Sequence, residues 1–459
     1  MKHLTWITTV LVALAAGCGG DSKNDAPPRL IAGGGIGDGA IEGVVNVYVI
    51  DGDTDAAISG AEVIIGEAGE DPLILSTDGA GLAAFDDGSL AGPTTVTVKA
   101  DGYIVATWFG ANGANVTVPM TPVVESSDVP RATVRGSIVG WENMDAPAAN
   151  HFVVGIVSYS HTHELGDAAN ELTQPAGDPI PPNACAVAVA PIQPCSWSLV
   201  TRTGTVAIFA TIIDIDTKGT QDERDDTSEV IGYAYKTGIQ VEDGITMSNV
   251  MLAQLPAGSL TEVGASYASL PSGLDTAASL LRLDLGDSGV MPLGFMTTAG
   301  PETVTIPDLA GAFAANTYQA IAFAGDSNAD PDDDENPMTA IILRDLGTLG
   351  AEVEFGAWMD QPANLAYDGS AYSFTPVNSA TLHTAKLRRT NGTVLWNIAL
   401  IDGRSSFVLP AISPDPLPAG ELELIVDTLE GAIDLEDFAI DELVESFERV
   451  SKSRRAITR

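Results

Sequence analysis

The sequence has few basic residues, few cysteines and no long apolar segment. Its 459 residues include 21 Lys and Arg against 62 Asp and Glu, which gives a formal net charge of −41. Nucleic-acid binding needs a positive footprint, so this balance excludes it. The apolar stretch from Leu4 to Leu14 has about half of the roughly 20 residues that a transmembrane helix requires. The acidic excess fits a solvated surface, a cationic ligand or divalent ions.

The first residues have the layout of an export signal. Lys2 precedes the apolar stretch, and small residues follow it. The segment Ala15-Ala16-Gly17-Cys18 resembles the lipobox of bacterial lipoproteins, although Ala15 stands where that motif usually has Leu. The resemblance implies removal of residues 1–17 and a membrane anchor through acyl chains on Cys18.

Several consequences follow from an anchor at Cys18. Each buried methylene of an acyl chain contributes about 0.8 kcal/mol, so two or three chains hold a protein firmly. Gly19 follows the cysteine where an inner-membrane retention signal often has Asp, which favours the outer membrane over the inner one. Residues 18–38, rich in Gly, Pro and Asp, predict a flexible tether. The alternative is an ordinary secreted protein with a buried or oxidised cysteine.

The other two cysteines, Cys185 and Cys195, flank a proline-containing segment. An exported chain reaches a compartment where disulfides persist, and a turn between these residues can bring their ends together. The sequence therefore predicts a disulfide between them, with two free thiols as the alternative.

Turn signals recur every 8–12 residues, and apolar residues alternate with polar ones between them, as at Val45, Val47 and Val49. No long stretch shows helical periodicity. This pattern predicts an all-β protein of tandem antiparallel β-sandwich domains. The predicted domains are 39–122, 130–255 and 256–459, the last holding one or two further β domains. Residues 434–459 fit either an amphipathic helix or a final strand pair, with a basic end that balances neighbouring acids.

Part of the chain resembles a known family. Gly60-Ala61 precedes a strand, Thr77-Asp78 and Gly81 mark a turn, and Asp101-Gly102-Tyr103 closes a strand. Together they look like the carboxypeptidase regulatory-like domain, a transthyretin-like β-sandwich, over residues 40–121. The resemblance implies a non-catalytic spacer or binding module, without peptidase activity.

An acidic loop is the best candidate for a metal site. Asp326, Asn328 and Asp330 occupy alternate positions, as in the first half of a calcium loop, where oxygens at positions 1, 3 and 5 converge on the cation. Asp332, Asp333, Asp334 and Glu335 offer further oxygens in a different geometry. Pro331 and Pro337 replace the Gly and the bidentate Glu of a full EF-hand. A structural calcium site and a solvated acidic loop are both open.

Three short motifs are similar to catalytic or metal-binding motifs. They are His161-Thr162-His163-Glu164, with zinc-ligand spacing, and the serine turns at Gly286-Asp287-Ser288-Gly289 and Gly325-Asp326-Ser327. None has the partners that its chemistry needs, so each is expected to be structural. The tryptophans Trp108, Trp141, Trp197, Trp358 and Trp396 lie on strand-like segments and are expected in cores.

The sequence thus predicts a non-catalytic, lipid-anchored cell-envelope protein that acts as a structural or ligand-binding module, with a carbohydrate or protein ligand at the cell surface. One alternative is a calcium-dependent adhesin or carbohydrate-binding surface protein. Another is an unrecognised hydrolase, which would need a pocket gathering His151, His161 or His163 with carboxylates.

Overall fold

A computed structural model describes the chain from residue 30 to residue 459 with gaps; the described ranges are 30–123, 130–161, 164–166, 181–189, 191–220, 226–255, 259–297, 303–330, 333 and 335–459. These residues form 31 strands and one α-helix. The all-β prediction is confirmed. No helix in the described ranges is long and apolar enough to cross a membrane.

The first eight strands form two facing sheets. They are β1 (Gly35–Gly37), β2 (Glu42–Asp51), β3 (Glu62–Ile65), β4 (Leu73–Ser76), β5 (Leu82–Ala91), β6 (Thr94–Lys99), β7 (Val105–Ala111) and β8 (Asn115–Met120). One sheet contains β1, β8, β2 and β5, and the other contains β7, β6, β3 and β4. Val45, Val47 and Val49 alternate along β2 and fill the core between the sheets, as the period of two predicts.

Two residues of the family resemblance have clear structural roles. Gly81 has a φ of +75°, and a Cβ there would lie 2.6 Å from the carbonyl oxygen of Val49, so only glycine fits this turn. The Tyr103 hydroxyl donates a 2.7 Å hydrogen bond to the Asp51 carboxylate. The carboxylate also accepts from the backbone N–H groups of Asp53 and Thr54, and therefore organises the turn after β2.

Residues 130–255 form a single sheet. Its strands are β9 (Arg131–Val139), β10 (His151–His161), β11 (Glu164–Gly166), β12 (Ala184–Val187), β13 (Ser196–Arg202), β14 (Gly204–Asp216), β15 (Thr227–Val241) and β16 (Thr246–Gln254). The order is β11-β10-β14-β15-β16-β9-β13, with β12 also paired to β10. The two ends of this sheet approach each other, since β13 contacts both β10 and β12. The sheet is thus curled around one apolar core.

A seam closes the curled sheet. The backbone N–H of Ser198, on β13, donates a 2.8 Å hydrogen bond to the carbonyl of Pro182, just before β12. Cys185 on β12 and Cys195 next to β13 form a disulfide with a Cα–Cα distance of 5.6 Å. The predicted pairing is confirmed, and it joins the two edges of the sheet.

The remaining strands build most of a 12-stranded sheet and two small sheets, except β30, which pairs with β1 at the edge of the first sheet. They are β17 (Leu260–Ser266), β18 (Thr276–Asp284), β19 (Val290–Thr297), β20 (Thr303–Pro307), β21 (Thr317–Gly325), β22 (Met338–Leu346), β23 (Glu352–Glu354), β24 (Ala363–Tyr367), β25 (Tyr372–Thr375), β26 (Leu382–Arg389), β27 (Val394–Leu400), β28 (Ser406–Phe407), β29 (Glu421–Gly431), β30 (Phe438–Ala439) and β31 (Phe447–Thr458). The large sheet has the order β19-β18-β21-β22-β31-β29-β26-β27-β7-β6-β3-β4. The small sheets are β20-β17-β23 and β24-β25-β28.

The large sheet joins segments that the sequence assigns to separate domains, 39–122 and 256–459. Strand β27 pairs in parallel with β7, with Trp396 opposite Val105 and Leu400 opposite Phe109. Every residue of β7 is buried. A strand buried on both faces needs a partner on each edge, and alternation along the sequence does not specify which distant strand supplies it. Three further parallel pairs, β2–β8, β9–β16 and β17–β23, depart from the antiparallel expectation.

The C-terminal residues, for which the sequence fits either a helix or a strand pair, contain a short helix followed by a single strand. The helix α1 spans Ile440–Ser446, and β31 follows it directly. This last strand lies between β22 and β29 in the large sheet. The five tryptophans named above are buried, which confirms the core prediction.

Candidate functional site

The acidic loop between β21 and β22 does not project into solvent as a simple hairpin connection. Its residues Asp333 and Glu335 contact side chains of β26 and β31, with β29 between these two strands. Asp333 and Glu335 therefore lie on one face of three neighbouring strands. We call residues 326–336 the acidic loop.

The face under the acidic loop carries four cations. Lys386 and Arg388 alternate on β26, and Lys452 and Arg454 alternate on β31. The register places Lys386 and Arg454 opposite Ile425 of β29, so they share one face. Residues spaced by two point to the same side of a strand, which brings all four together. We call these four residues the basic platform.

Asp333 is held by two arginines. The Arg388 guanidinium donates to both of its carboxylate oxygens at 2.9 and 2.8 Å, and Arg454 donates a further hydrogen bond. The hydrogen bonds from Arg388 lower the pKa of Asp333 well below its ordinary value, against the opposing effect of burial. The bidentate geometry fixes both the position and the charge of this carboxylate.

Glu335 sits between two lysines and is only 4% exposed. Its carboxylate contacts the ammonium groups of Lys386 and Lys452. Burial alone would raise the pKa of Glu335, but the two lysines outweigh it and lower the pKa to about 2. Two acids of β29 complete the cluster: Glu423 accepts a 2.6 Å hydrogen bond from Arg388, and Asp427 lies 3.6 Å from the Lys452 nitrogen.

The predicted calcium ligands are divided by this arrangement. Asp326 accepts hydrogen bonds from the backbone and side-chain nitrogens of Asn328 at 2.8 and 3.1 Å. Asp330 accepts at its backbone carbonyl from the Asn336 side chain at 2.6 Å. Asp333 binds the arginines instead of facing these oxygens. Asp332 and Asp334 lie outside the described residues, as does Cys18. No set of three or more His, Cys, Asp or Glu suited to a metal ion occurs in the described ranges. The calcium site stays a prediction.

The residues of the tempting catalytic motifs have structural partners. The Ser288 hydroxyl accepts from the backbone N–H of Gly238 at 3.1 Å. The Ser327 hydroxyl donates to Asp275 at 2.8 Å. His383, on β26, is buried with its ring 5.1 Å from that of Phe374. These contacts leave each group in a fold-holding role.

The histidines proposed for a hydrolase pocket are dispersed. His151 and His161 lie at opposite ends of β10, ten residues apart, which is about 33 Å along a strand. His151 has its Nδ1 atom 2.9 Å from Asp214, a pair that alternation did not reveal. Thr162 and His163 lie outside the described residues. The predicted pocket does not assemble from His151 and His161.

The basic platform is the main feature that sequence reasoning missed. The signal for it is present as a basic residue at every second position in AKLRR and SKSRR, within strand-like segments. The sequence pattern indicated only the acidic side of the cluster, the run from Asp326 to Glu335. The basic end of the chain was expected to balance nearby acids, and Lys452 and Arg454 do so.

Comparisons with known proteins give no family. The sequence matches no protein-family model and no curated protein. Among solved structures, the TIE protein of Bacillus anthracis is 10% identical, with 68% of this chain and 50% of that chain covered and a TM-score of 0.15. This chain thus spans half the length of that structure.

Two other solved structures are a pilin and a pilus adhesin. The full-length major pilin SpaD from Corynebacterium diphtheriae is 12% identical over 69% of this chain and 96% of that one, with a TM-score of 0.14. The pilus adhesin SpaC from Lactobacillus rhamnosus GG is 11% identical over 81% of this chain and 44% of that one, also at 0.14. At such TM-scores these likenesses support no conclusion about function.

Proposed function

We propose that the chain is a non-catalytic, lipid-anchored protein of the bacterial cell envelope, in which the β domains act as a structural or ligand-binding module. One observation supports the non-catalytic part: the candidate reactive or metal-binding side chains named next are engaged in contacts that hold the fold. Ser288, Ser327, Asp333 and Glu335 each hydrogen-bond to a strand or a turn of the chain itself.

The anchor part of the proposal rests on the sequence around Cys18. Its test is metabolic labelling of a bacterial expression host with an alkyne fatty acid. The parent chain should incorporate the label into the membrane fraction, and Cys18→Ser should not. Cys195→Ser, which removes a cysteine far from the export signal, serves as the matched control and should still be labelled. Equal labelling of the parent and Cys18→Ser would refute the anchor.

Protease treatment of intact cells tests whether the β domains are displayed on the outer surface of the cell. A surface-exposed module should be shaved from intact cells, whereas a protein facing the periplasm should be degraded only after the outer membrane is permeabilised. Protection in intact cells would leave an envelope protein that does not face outward, and would therefore restrict its ligands to the periplasm.

A further inference from the structure

The strand β4 ends the 12-stranded sheet with an open edge. It pairs only with β3, from Glu62 opposite Ser76 to Ile65 opposite Leu73. Within the described ranges, no backbone–backbone hydrogen bond reaches residues 73–76 from the side away from β3. The outer edge of β4 therefore presents backbone N–H and C=O groups to solvent.

The apolar layers on both faces of the sheet also end unfinished at β4. Leu75 is on the same side as Leu73, which packs against the core between the two sheets. Leu75 is nevertheless 41% exposed, and Ile74, on the opposite face, is 53% exposed. Their cross-strand partners on β3, Val63 and Ile64, are buried. One more strand beside β4 would cover both exposed side chains.

Several other strands at the edges of sheets carry protection that β4 lacks. Charged residues, prolines and register shifts blunt such edges because they oppose pairing with another chain. The protected edges are β5 with Asp86 and Asp87, β19 with Pro292, β20 with Pro307, and β23 with Glu352 and Glu354. The sequence of β4, LILS, contains no charge and no proline, and its pairing with β3 has no register shift.

The surroundings of β4 are acidic. Glu70 and Asp71 precede the strand and Asp78 follows it, all exposed. The nearby cations have partners of their own: Lys99 contacts the carbonyl of Ser413, and Arg404 binds Glu67 and Asp402. A second copy of this chain would bring a second set of acids to the same edge. A strand with basic ends would instead find complementary charge.

We propose that β4 accepts an extended segment of a partner protein as an additional strand, and that this segment is apolar in the middle with basic residues at its ends. Main-chain hydrogen bonds to β4 would supply affinity, and the apolar side chains would cover Ile74 and Leu75. The inference rests on the proposed role as a non-catalytic binding module.

The probe is the synthetic peptide KVVVVK, which has apolar side chains on both faces of a strand, titrated against the full-length protein in detergent by fluorescence anisotropy. Hydrogen exchange with and without the peptide locates the site. We expect saturable binding and slower exchange at residues 73–76. Methylation of the peptide nitrogens that face β4 should weaken binding at least tenfold, because it removes the ladder hydrogen bonds and keeps the charge.

Two variants separate strand addition from simple charge attraction. Leu75→Glu adds an acid to β4, and Met251→Glu adds one at a site on β16 that is 60% exposed. Strand addition predicts weaker binding for Leu75→Glu and unchanged binding for Met251→Glu, with melting temperatures confirming that both fold. Stronger binding by Leu75→Glu, equal binding of the methylated peptide, or protection away from β4 would overturn the proposal.

Self-association is a separate outcome. Concentration-dependent protection of residues 73–76 without peptide would show that a second copy occupies the edge, which overturns the proposal of a basic partner. Absence of peptide binding would also overturn it. Neither result affects the labelling test at Cys18, so failure of this inference is distinguishable from failure of the anchor.

Discussion

The curled sheet within residues 130–255 and the 12-stranded sheet are each held by a different kind of contact. The curled sheet closes with a covalent bond between Cys185 and Cys195, both buried in its apolar core. The 12-stranded sheet holds the acidic loop through ion pairs with the basic platform. The disulfide does not depend on the ionisation of side chains, whereas the contacts of the acidic loop are ion pairs.

The difference follows from where each contact lies. The interior of the curled sheet is lined by residues such as Trp197, Leu199 and Ile208, where an ion pair would lose its hydration without compensation. The basic platform, by contrast, does not face an apolar core. The apolar residues of its strands, such as the buried Leu387 and Leu424, lie on the other face. The platform itself is partly accessible to solvent, as at Arg454. Charges are therefore tolerated there, provided that each has a counterion.

The largest effect on this comparison is expected from Glu335→Gln. The substitution removes the close counterion of Lys452, whose side chain is 9% exposed, and of Lys386. The other carboxylate near both lysines, that of Asp427, is more distant, at 3.6 and 4.0 Å. Breaking a buried ion pair from one side destabilises a protein by about 3–5 kcal/mol. Urea unfolding followed by circular dichroism measures this loss. Asp326→Asn in the same acidic loop is the matched control and should stay within about 0.5 kcal/mol of the parent.

The pH dependence sharpens this prediction. The folded-state pKa of Glu335 is about 2, below its ordinary value of 4.5. The stability from this carboxylate is thus fully present above pH 4.5 and is lost as the pH falls from 4.5 towards 2. Parent and Glu335→Gln should differ most near neutral pH and converge near pH 2. A constant difference across this range would contradict an ionised Glu335.

The curled sheet, the 12-stranded sheet and the strand β2 together show which features can be predicted from the sequence. The alternation at Val45, Val47 and Val49 identified strands, and the spacing of Cys185 and Cys195 identified their disulfide, because both signals are local. The pairing of β7 with β27 was not predictable, since Val105 and Trp396 are separated by most of the chain. The basic platform depends on the same long-range register. Asp333 was therefore assigned to calcium when its partners are Arg388 and Arg454.

The second effect in size is expected at the seam of the curled sheet. The variant with Cys185→Ser and Cys195→Ser should lose about 2–4 kcal/mol, the usual contribution of a disulfide. Thermal unfolding measures the loss, and hydrogen exchange should show faster exchange around Ser198, whose N–H bonds to Pro182 across the seam. Salt should not change this difference, whereas it should change that of Glu335→Gln. An equal salt dependence in both variants would erase the distinction between the two regions.

A smaller effect on stability is expected from His383. It lies on β26, like Lys386, but its side chain points to the opposite, apolar face. Its Nε2 atom is buried and has no hydrogen-bond partner among the described residues. Burial lowers the pKa of His383 below its ordinary value of 6.5. The folded protein keeps the ring neutral while the unfolded chain binds a proton, so stability falls as the pH drops below 6.5.

His383→Leu should flatten this pH dependence. We expect the urea midpoint of the parent to decrease between pH 7 and pH 5 more steeply than that of the variant. The variant itself should be slightly less stable at pH 7, because leucine does not fill the space against Phe374. Parallel slopes for parent and variant would indicate that His383 accepts its proton without unfolding.

The smallest effect is expected from calcium, and it tests how the acidic loop divides its carboxylates. Asp333 is committed to Arg388 and Arg454, so among the predicted ligands that the structure describes, a bound ion would depend on Asp326, Asn328 and Asp330. Calcium at ten times its dissociation constant stabilises a protein by about 1.4 kcal/mol. A rise in melting temperature of the parent in calcium relative to chelator measures this effect.

Two variants assign the calcium effect to one part of the loop. Asp326→Asn should abolish the calcium-dependent rise and leave the melting temperature in chelator nearly unchanged, because an amide oxygen can still accept from Asn328. Asp333→Asn should lower the melting temperature in chelator, because the arginines lose their ionised partner, and should keep the rise in calcium. No rise in the parent would contradict the calcium prediction. The acidic loop would then be held by its ion pairs alone, which makes the contrast with the covalent seam complete.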